Sequence, residues 1–358
     1  MRTVASFEIQ LHEFLNPDGT AAAELPAFAR DADTLRELYR LMRLTRIFDT
    51  KAVALQRTGQ LGTFASVLGQ EAIGVGFATA MQPRDVLAPN YRDHAAQIAR
   101  GVTLTELLLY WGGDERGSDF SGPREDFPVT ITVASQCCHA VGAAAAFQIR
   151  DEARAAVVTL GDGATSKGDF YESLNLAGAW HLPVLFVVSN NQWAISVPRR
   201  DQCAAETLAQ KGIGAGVPGL QVDGNDVVAV RWAAEQALAR ARAGDGPTLI
   251  EALTYRMQDH TTADDAKRYR DPAEVEAQRA RDPIERLRKH LEARHGWTTA
   301  DETALESDCV ARMQEALDAY SATPPAGPEA MFDHLHAQLP RALATQREAA
   351  IADERNRG

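Results

Sequence analysis

The fold of this chain is decided by the stretch Val157-Val158-Thr159-Leu160-Gly161-Asp162-Gly163. Its β-branched and apolar residues predict a buried strand over 155–160, and its Gly-Asp-Gly end predicts a tight turn. A helical pattern over 169–180 and a second apolar run over 184–188 follow it. Strand, helix and strand in this order predict a βαβ unit with two parallel strands.

The βαβ rhythm continues toward the C-terminus. Further strands are predicted over 220–222 and 248–252, with a helix over 226–243 between them. Strands that are buried on both faces have continuous Val, Leu and Ile runs, as these do. We therefore predict an α/β fold whose core is a doubly wound parallel sheet.

Shorter elements are predicted before this unit. A helix follows Gln70, and a strand over 85–88 delivers residues 90–94 to a loop or a helix start. A helix is expected over 103–111, and the Gly-, Asp- and Pro-rich residues 112–128 are expected to form a long loop.

The flanking regions have other patterns. Residues 1–30 have turn signals and weak periodicity, so an extended arm and a solvated tail are equal alternatives. A helix is predicted from an N-cap at Asp33-Thr34 to Gly59. The charged pattern after residue 264 predicts a helical region with a solvated face. We divide the chain into an arm and helix (1–60), an α/β domain (61–256), and an active-site loop with a helical C-terminal region (257–358).

Side chains that carry oxygen follow both central strands. Asp162 ends the first strand and Asn190-Asn191 end the second. Carboxyl ends of neighbouring parallel strands converge on one ligand crevice, so Asp162 and Asn191 should meet there. A carboxylate and an amide oxygen suit Mg2+ or Ca2+, and Gly161 and Gly163 allow a phosphate group to approach closely. The alternative is a glycine turn beside an Asn-rich loop, without a ligand.

Two other phosphate-binding motifs are incomplete. Residues 163–168 are followed by Asp169, where a nucleoside-triphosphate loop needs Lys and then Ser or Thr. The glycines of residues 212–216 follow a helix-like stretch, whereas a dinucleotide fingerprint follows a strand. Nicotinamide binding is therefore disfavoured.

The composition excludes several classes of protein. The 37 basic and 49 acidic residues leave a net charge of −12, which disfavours nucleic acid and anionic membranes as partners. We expect a cytoplasmic protein, because no export signal and no run near the ~20 apolar residues of a membrane span is visible. The four cysteines contain no C-x-x-C pair, so disulfides and zinc are not expected, and Cys137-Cys138 are expected in the core.

Further motifs occur in order along most of the chain. They are Gly62-Thr63-Phe64, Gly69-Gln70-Glu71-Ala72, Tyr91-Arg92, Lys167-Gly168-Asp169-Phe170-Tyr171-Glu172, Ala194-Ile195-Ser196-Val197-Pro198, Gln221-Val222-Asp223-Gly224-Asn225-Asp226, His260-Thr261-Thr262 and Tyr269-Arg270. Together with the Gly-Asp-Gly and Asn-Asn pair, they resemble the alpha subunit of the decarboxylating dehydrogenase component of 2-oxo acid dehydrogenase complexes. The resemblance is closest to bacterial pyruvate dehydrogenase, and it implies a thiamine diphosphate-binding fold.

The resemblance implies a role for residues around the metal and the diphosphate. The side chains of Asp162 and Asn191, with the backbone carbonyl of Trp193, would hold a Mg2+ that bridges the two phosphates. Arg92 would grip the diphosphate through its planar guanidinium, and Tyr91 would line the adjoining pocket. Without the resemblance, Arg92 would be a surface charge and Tyr91 a half-buried packing residue.

Other site residues follow from the same resemblance. Val133 would contact the aminopyrimidine ring, mainly through its backbone, and Gly161 and Gly163 would flank the metal ligand in the phosphate turn. Arg256 and His260 correspond to the arginine and histidine of the mobile active-site loop. His260 would contact the cofactor phosphate and aid acyl transfer, although a solvated loop histidine is the alternative.

The implied reaction is the decarboxylation of a 2-oxo acid, followed by acyl transfer to the lipoyl group of an acyltransferase core. The glutamate that activates the cofactor would come from a separate beta chain in an α2β2 heterotetramer. Residues 208–211 and 218–219 favour pyruvate as the substrate, whereas residues 252–256 resemble branched-chain enzymes that use 3-methyl-2-oxobutanoate. A nucleotide-binding dehydrogenase and a non-catalytic scaffold are the competing classes.

Two positions depart from the family pattern. Ser189 stands where branched-chain relatives carry an arginine that binds phosphate. Thr261 stands where mitochondrial relatives carry a regulatory serine. The phosphate contact must therefore be absent or come from elsewhere, and the resemblance does not imply kinase control of the loop.

Overall fold

The computed structural model describes residues 1–357, and a parallel sheet lies at its centre. The strands of the described chain are β1 (Leu11–His12), β2 (Val86–Ala88), β3 (Ala156–Gly161), β4 (Val184–Asn190), β5 (Trp193–Ala194), β6 (Val197–Pro198), β7 (Gly219–Asp223) and β8 (Thr248–Leu253). The central sheet has the order β1-β7-β8-β4-β3-β2, and all its pairings are parallel. Strands β5 and β6 form a small antiparallel hairpin.

Helices surround this sheet. They are α1 (Ala32–Arg57), α2 (Glu71–Ala80), α3 (His94–Arg100), α4 (Leu104–Trp111), α5 (Ser135–Ile149), α6 (Gly168–Trp180), α7 (Arg199–Gln202), α8 (Val227–Arg242), α9 (Pro272–Gln278), α10 (Pro283–His295), α11 (Thr299–Ala322), α12 (Ala330–Asp333) and α13 (Arg341–Arg357). None of the helices in residues 1–357 is both long and apolar enough to cross a membrane.

Both faces of the sheet are covered by helices. Successive strand residues point to opposite faces, so Val158 and Phe186 pack in one core with α5 and α6. Their neighbours Val157 and Leu185 pack in a second core with α2 and α8. The predicted α/β fold with a doubly wound parallel sheet is confirmed.

The predicted connections between strands are also confirmed. Strands β3 and β4 are direct neighbours joined by α6, and β7 and β8 are neighbours joined by α8. Asp226 caps the N-terminus of α8, since its Oδ1 accepts hydrogen bonds from the backbone of Val228 and Ala229. Because β3 and β4 are adjacent, their carboxyl ends lie at the same edge of the sheet.

A layer of helices packs beside the sheet and forms a third core. It combines Leu38 and Phe48 of α1 with Leu108 of α4, Leu287 of α10 and Met313 of α11. The helical C-terminal region is confirmed up to residue 357. The division of the chain into three parts stays a prediction, although this core joins residues from all three.

The N-terminal arm is fixed to the sheet from residue 11 onward. Strand β1 pairs with β7, and the backbone N–H groups of Phe14 and Leu15 both donate to Asp226 Oδ2 at 2.7 Å. Arg286 Nη1 donates to the Leu15 carbonyl at 3.2 Å and to Asp223 Oδ2 at 2.9 Å. The arm interpretation is therefore correct for this stretch, and the solvated-tail alternative is wrong there.

Three details of the sequence interpretation need correction. Helix α1 begins two residues earlier than predicted, because Asp31 and not Asp33-Thr34 is the N-cap: its Oδ2 accepts from Thr34 N at 3.0 Å. Helix α5 was not predicted. Cys137 is buried as expected, but Cys138 is exposed, because adjacent residues on a helix point about 100° apart. All four cysteines are free thiols.

Candidate active site

Asp162 lies at the carboxyl edge of the sheet, directly after β3. The register pairs Gly161 with Ser189, so Asp162 and the Asn190-Asn191 pair stand at adjacent strand ends. That Asp162 and Asn191 share one ligand site stays a prediction. The Asp162 side chain is 1% exposed, and its Oδ2 has no hydrogen-bond partner among residues 1–357. Burial raises the pKa of this carboxyl to about 6. A buried carboxylate oxygen without a partner is unfavourable, and a bound cation would satisfy it.

Asn191 has a fixed position and a fixed amide orientation. Its backbone carbonyl accepts from Arg256 N at 3.1 Å, and its side-chain Nδ2 donates to Gln70 Oε1 at 3.0 Å. The remaining group, Oδ1, accepts one long hydrogen bond from the backbone N–H of Trp193 at 3.3 Å. Asn191 Oδ1 is therefore the part of the amide that remains suited to a cation.

Arg256 holds the hairpin that follows Asn191. Its Nη1 donates to the Trp193 carbonyl at 3.1 Å and its Nη2 to the Ile195 carbonyl at 2.7 Å. Ile195 and Gln192 have positive φ angles of 55° and 73°, which non-glycine residues adopt only when their surroundings enforce it. A carbonyl oxygen has two lone pairs, so the Trp193 oxygen can still bind another ligand. Arg256 is buried three residues after the end of β8, and its Nη2 also donates to the Tyr269 hydroxyl at 2.9 Å.

Gly163 allows the hairpin to approach the turn after β3. A Cβ atom on Gly163 would lie 2.6 Å from the Ala194 Cβ, which is too close for two carbon atoms. We therefore expect Gly163→Ala to displace the hairpin and to lower stability by about 1–3 kcal/mol, as overpacking does. Thermal unfolding measures this effect. Gly214→Ala is the control, because a Cβ there meets nothing within 4 Å; equal midpoints for the two variants would contradict the steric argument.

Arg92 links two segments of the candidate site. It is buried, and its Nη1 donates to the Ser66 carbonyl, whereas its Nη2 donates to the His260 carbonyl at 2.7 Å. The guanidinium has five N–H donors, so some remain for a phosphate. Tyr91 is half-buried, and its ring meets the His260 ring edge to face at 6.0 Å between centroids. The surface-charge alternative is wrong for Arg92.

His260 is held in place and is neutral at pH 7. Its backbone N–H donates to Asp264 Oδ2 at 2.9 Å. Its Nδ1 lies 3.4 Å from Arg92 Nη2, and because a guanidinium has only donors, Nδ1 is the acceptor. Burial, together with the charges of Arg92 and Arg256, lowers the pKa of His260 to about 4. The neutral ring therefore carries its proton on Nε2.

This pKa predicts a dependence of stability on pH. Between the usual value of 6.5 and about 4, the unfolded chain binds a proton at His260 that the folded chain does not bind. Stability should therefore fall as the pH falls through this window, and His260→Asn should remove part of the fall. Unfolding midpoints from pH 7.5 to 4.5 measure it. The exposed His336 provides the control variant His336→Asn; the prediction fails if both variants follow the wild-type curve.

The remaining predicted residues lie apart from these contacts. Gly161 is the last residue of β3, and a Cβ there would meet nothing within 4 Å. Val133 precedes α5, and its side chain is 45% exposed. In the described part of the chain, no hydrogen bond or ring contact joins Val133 to Asp162, Arg92 or His260, so its role stays a prediction.

The sequence interpretation missed one buried acid that supports the site. Asp49 Oδ2 accepts from Ser66 Oγ at 2.5 Å, and its Oδ1 accepts from Val67 N at 2.7 Å. Burial raises the pKa of this carboxyl to about 7. Asp49 thereby fixes the segment whose Ser66 carbonyl binds Arg92. A signal was present, because Asp49 falls between Phe48 and Ala52 on the apolar side of a predicted helix.

The fold and the clustered polar side chains define an α/β protein with a candidate active site at the carboxyl edge of its sheet. The family described as "Dehydrogenase E1 component" matches residues 39–329, and the chain belongs to this family. The chain is 41% identical over 350 residues to the 3-methyl-2-oxobutanoate dehydrogenase subunit alpha of Mycobacterium tuberculosis, covering 97% of this chain and 95% of the relative.

Pyruvate dehydrogenase subunits are similar to the chain at comparable levels. The E1 component subunit alpha of Acholeplasma laidlawii is 40% identical over 320 residues, with 88% of this chain and 92% of the relative covered. That of Staphylococcus epidermidis is 37% identical over 342 residues, with 95% and 92% covered. The resemblance inferred from the sequence motifs is confirmed at the level of the family.

Proposed function

We propose that the chain is the alpha subunit of a thiamine diphosphate-dependent pyruvate dehydrogenase. Its family and its relatives named as pyruvate dehydrogenase subunits support this proposal. The alternative substrate is 3-methyl-2-oxobutanoate, which the 41% identical relative supports by its name. Both alternatives are 2-oxo acid dehydrogenases, and both use the same candidate site.

The observation that carries the proposal is the buried Asp162 Oδ2 without a partner in the described residues, at the end of the strand next to the one that Asn191 follows. With the Trp193 carbonyl, Asp162 Oδ2 and Asn191 Oδ1 would supply three hard oxygen ligands to Mg2+, which keeps further positions for phosphate oxygens and water. Arg92 and His260 lie together in the same candidate site, where a guanidinium and an Nε2–H can donate to a diphosphate. The residues therefore fit thiamine diphosphate with Mg2+.

When bound, thiamine diphosphate supplies an electron sink that makes the loss of carbon dioxide from a 2-oxo acid possible. The chain's own residues would do the rest. Asp162 and Asn191 would hold the metal, and Arg92 would neutralise negative charge on the diphosphate while it holds the His260 backbone. Neutral His260 could donate a hydrogen bond from Nε2–H, which suits a step in which an oxygen develops negative charge.

We also propose that a beta chain completes the site. Large apolar side chains are exposed before α5 and in the β5–β6 hairpin: Ile131, Val133, Ile195 and Val197 are 43–57% exposed. Exposed apolar surface of this kind is typical of an interface. The relatives are named as alpha subunits, which supports a beta-type partner chain. We propose an α2β2 assembly that serves a lipoyl acyltransferase core in the cytoplasm.

The test is co-expression with a beta-type chain, followed by assays with thiamine diphosphate, Mg2+ and a lipoyl acceptor. We expect pyruvate to be used with a higher kcat/KM than 3-methyl-2-oxobutanoate, and the alpha chain alone to be inactive. The opposite preference would establish the alternative substrate. Full activity of the alpha chain alone would contradict the role of the beta chain.

A further inference from the structure

Gln70 is the least explained polar residue beside the candidate metal site. It precedes α2, but its side chain does not cap that helix. It is 3% exposed, its Oε1 accepts from Asn191 Nδ2 at 3.0 Å, and its Nε2 has no partner in the residues that the structure describes. The Gln70 side chain is buried, does not cap its helix and makes its hydrogen bond to Asn191. This indicates that Gln70 acts on Asn191.

The orientation of the Asn191 amide decides whether it can bind a cation. An asparagine side chain has an oxygen at one end and an NH2 group at the other. Only the oxygen can bind Mg2+, and rotation of the amide by 180° would turn two N–H donors toward the metal instead. Because Gln70 Oε1 accepts from Nδ2, it stabilises the orientation in which Oδ1 is left for the metal.

The backbone around Gln70 is itself held firmly. Gly69 has a φ angle of 86°, and a Cβ there would lie 2.6 Å from the Met257 side chain. The Gly69 carbonyl accepts from Thr254 Oγ1 at 3.2 Å. Gln70 therefore stands on a fixed turn, which keeps its side chain beside Asn191.

We infer that Gln70 is a positioning residue that orients the Asn191 amide for metal binding. The inference rests on the proposed function, because it requires a metal at Asp162 and Asn191. Partners that orient metal ligands typically contribute 10- to 100-fold to metal affinity. Gln70→Met, which has a similar size but no acceptor, should weaken metal binding by about that factor. Gln70→Glu keeps an acceptor in the same place and should bind metal at least as tightly as the wild type.

The measurement uses the full chain co-purified with its beta-type chain, with thiamine diphosphate present and Mn2+ as the probe. Free Mn2+ is followed by electron paramagnetic resonance, so the readout does not depend on turnover. The decisive comparison uses Asn191→Asp, in which both side-chain oxygens are acceptors and no amide orientation remains to be set. In this background, Gln70→Met should cause no further loss of affinity.

Two results would overturn the inference. The first is a Mn2+ affinity of Gln70→Met equal to that of the wild type. The second is an equal loss of Mn2+ affinity when Gln70→Met is made in the wild type and in the Asn191→Asp variant, which would indicate a general packing effect. Asp162→Asn separates this inference from the proposed function. If Asp162→Asn weakens Mn2+ binding and Gln70→Met does not, only the role of Gln70 fails. If the wild type and Asp162→Asn bind Mn2+ equally, the metal site itself fails.

Discussion

Asp162→Asn should weaken the affinity for Mg2+ in the presence of thiamine diphosphate by more than about 100-fold. The variant replaces a charged ligand by an amide, and changes to residues that only orient ligands already reduce metal affinity 10- to 100-fold. A ligand that binds the folded state raises its stability according to the ligand concentration. The rise in unfolding midpoint with Mg2+ and thiamine diphosphate should therefore disappear in Asp162→Asn.

The same substitution should stabilise the protein without metal. The folded state binds a proton at Asp162 more tightly than the unfolded state, because burial raises the pKa to about 6 from 3.8. Above pH 6 the buried charge thus reduces stability, by about 3 kcal/mol at most. Asp162→Asn should unfold at a higher temperature than the wild type at pH 7.5, and this difference should shrink at pH 5.

A nearby carboxylate provides the control for both measurements. Asp169 lies in the first turn of α6, and its side chain is 41% exposed. Asp169→Asn also removes one negative charge but leaves the buried surroundings of Asp162 unchanged, so the stabilisation by Mg2+ should persist. A full stabilisation by metal in Asp162→Asn would refute the ligand role of Asp162.

Arg92→Met should lower kcat/KM of the assembled enzyme by about 100-fold or more. The variant removes two hydrogen bonds from a charged donor, to the carbonyls of Ser66 and His260. Hydrogen bonds of this kind contribute about 1.5–3 kcal/mol each, and 1.4 kcal/mol corresponds to a factor of ten. Arg92→Lys should restore little, because an ammonium cannot reproduce the fork of a guanidinium.

Loss of Arg92 should also release the segment that carries His260. Trypsin cleaves after Lys267 and Arg268, which lie in the same segment, and cleavage there should become faster in Arg92→Met. Arg84→Met is the control, since the Arg84 side chain is 72% exposed. Cleavage at the same rate in both variants, with normal kinetics, would show that Arg92 does not hold this segment.

The sequence predicted the parts of the fold that depend on local pattern. Continuous apolar runs identified β3, β4, β7 and β8, and the rule that parallel strands share one edge placed Asp162 near Asn191. Helix α5 was missed because Ala, Gly and Cys occupy both its buried and its exposed sides, so its period is not visible as a polar pattern. Strand β1 has two residues and forms only through its pairing with β7, which no local signal reveals.

The site was predictable at the level of residue types, but its contacts were not. The motifs indicated Arg92, Asp162 and His260 as candidates. They did not indicate that Arg92 holds the His260 backbone or that Gln70 contacts Asn191, since these pairs are separated by more than 100 residues. Such contacts depend on the packing of the whole chain, and sequence spacing carries little information about them.

The N-terminal arm, which contains β1, constrains the order in which the protein can fold during synthesis. The ribosome makes residues 11–15 long before their partners, which are β7, Asp226 and Arg286. This segment therefore cannot reach its final place until those partners have emerged. A chain whose arm has been removed would leave the outer edge of β7 open to other strands, and it would be exposed to aggregation at this edge.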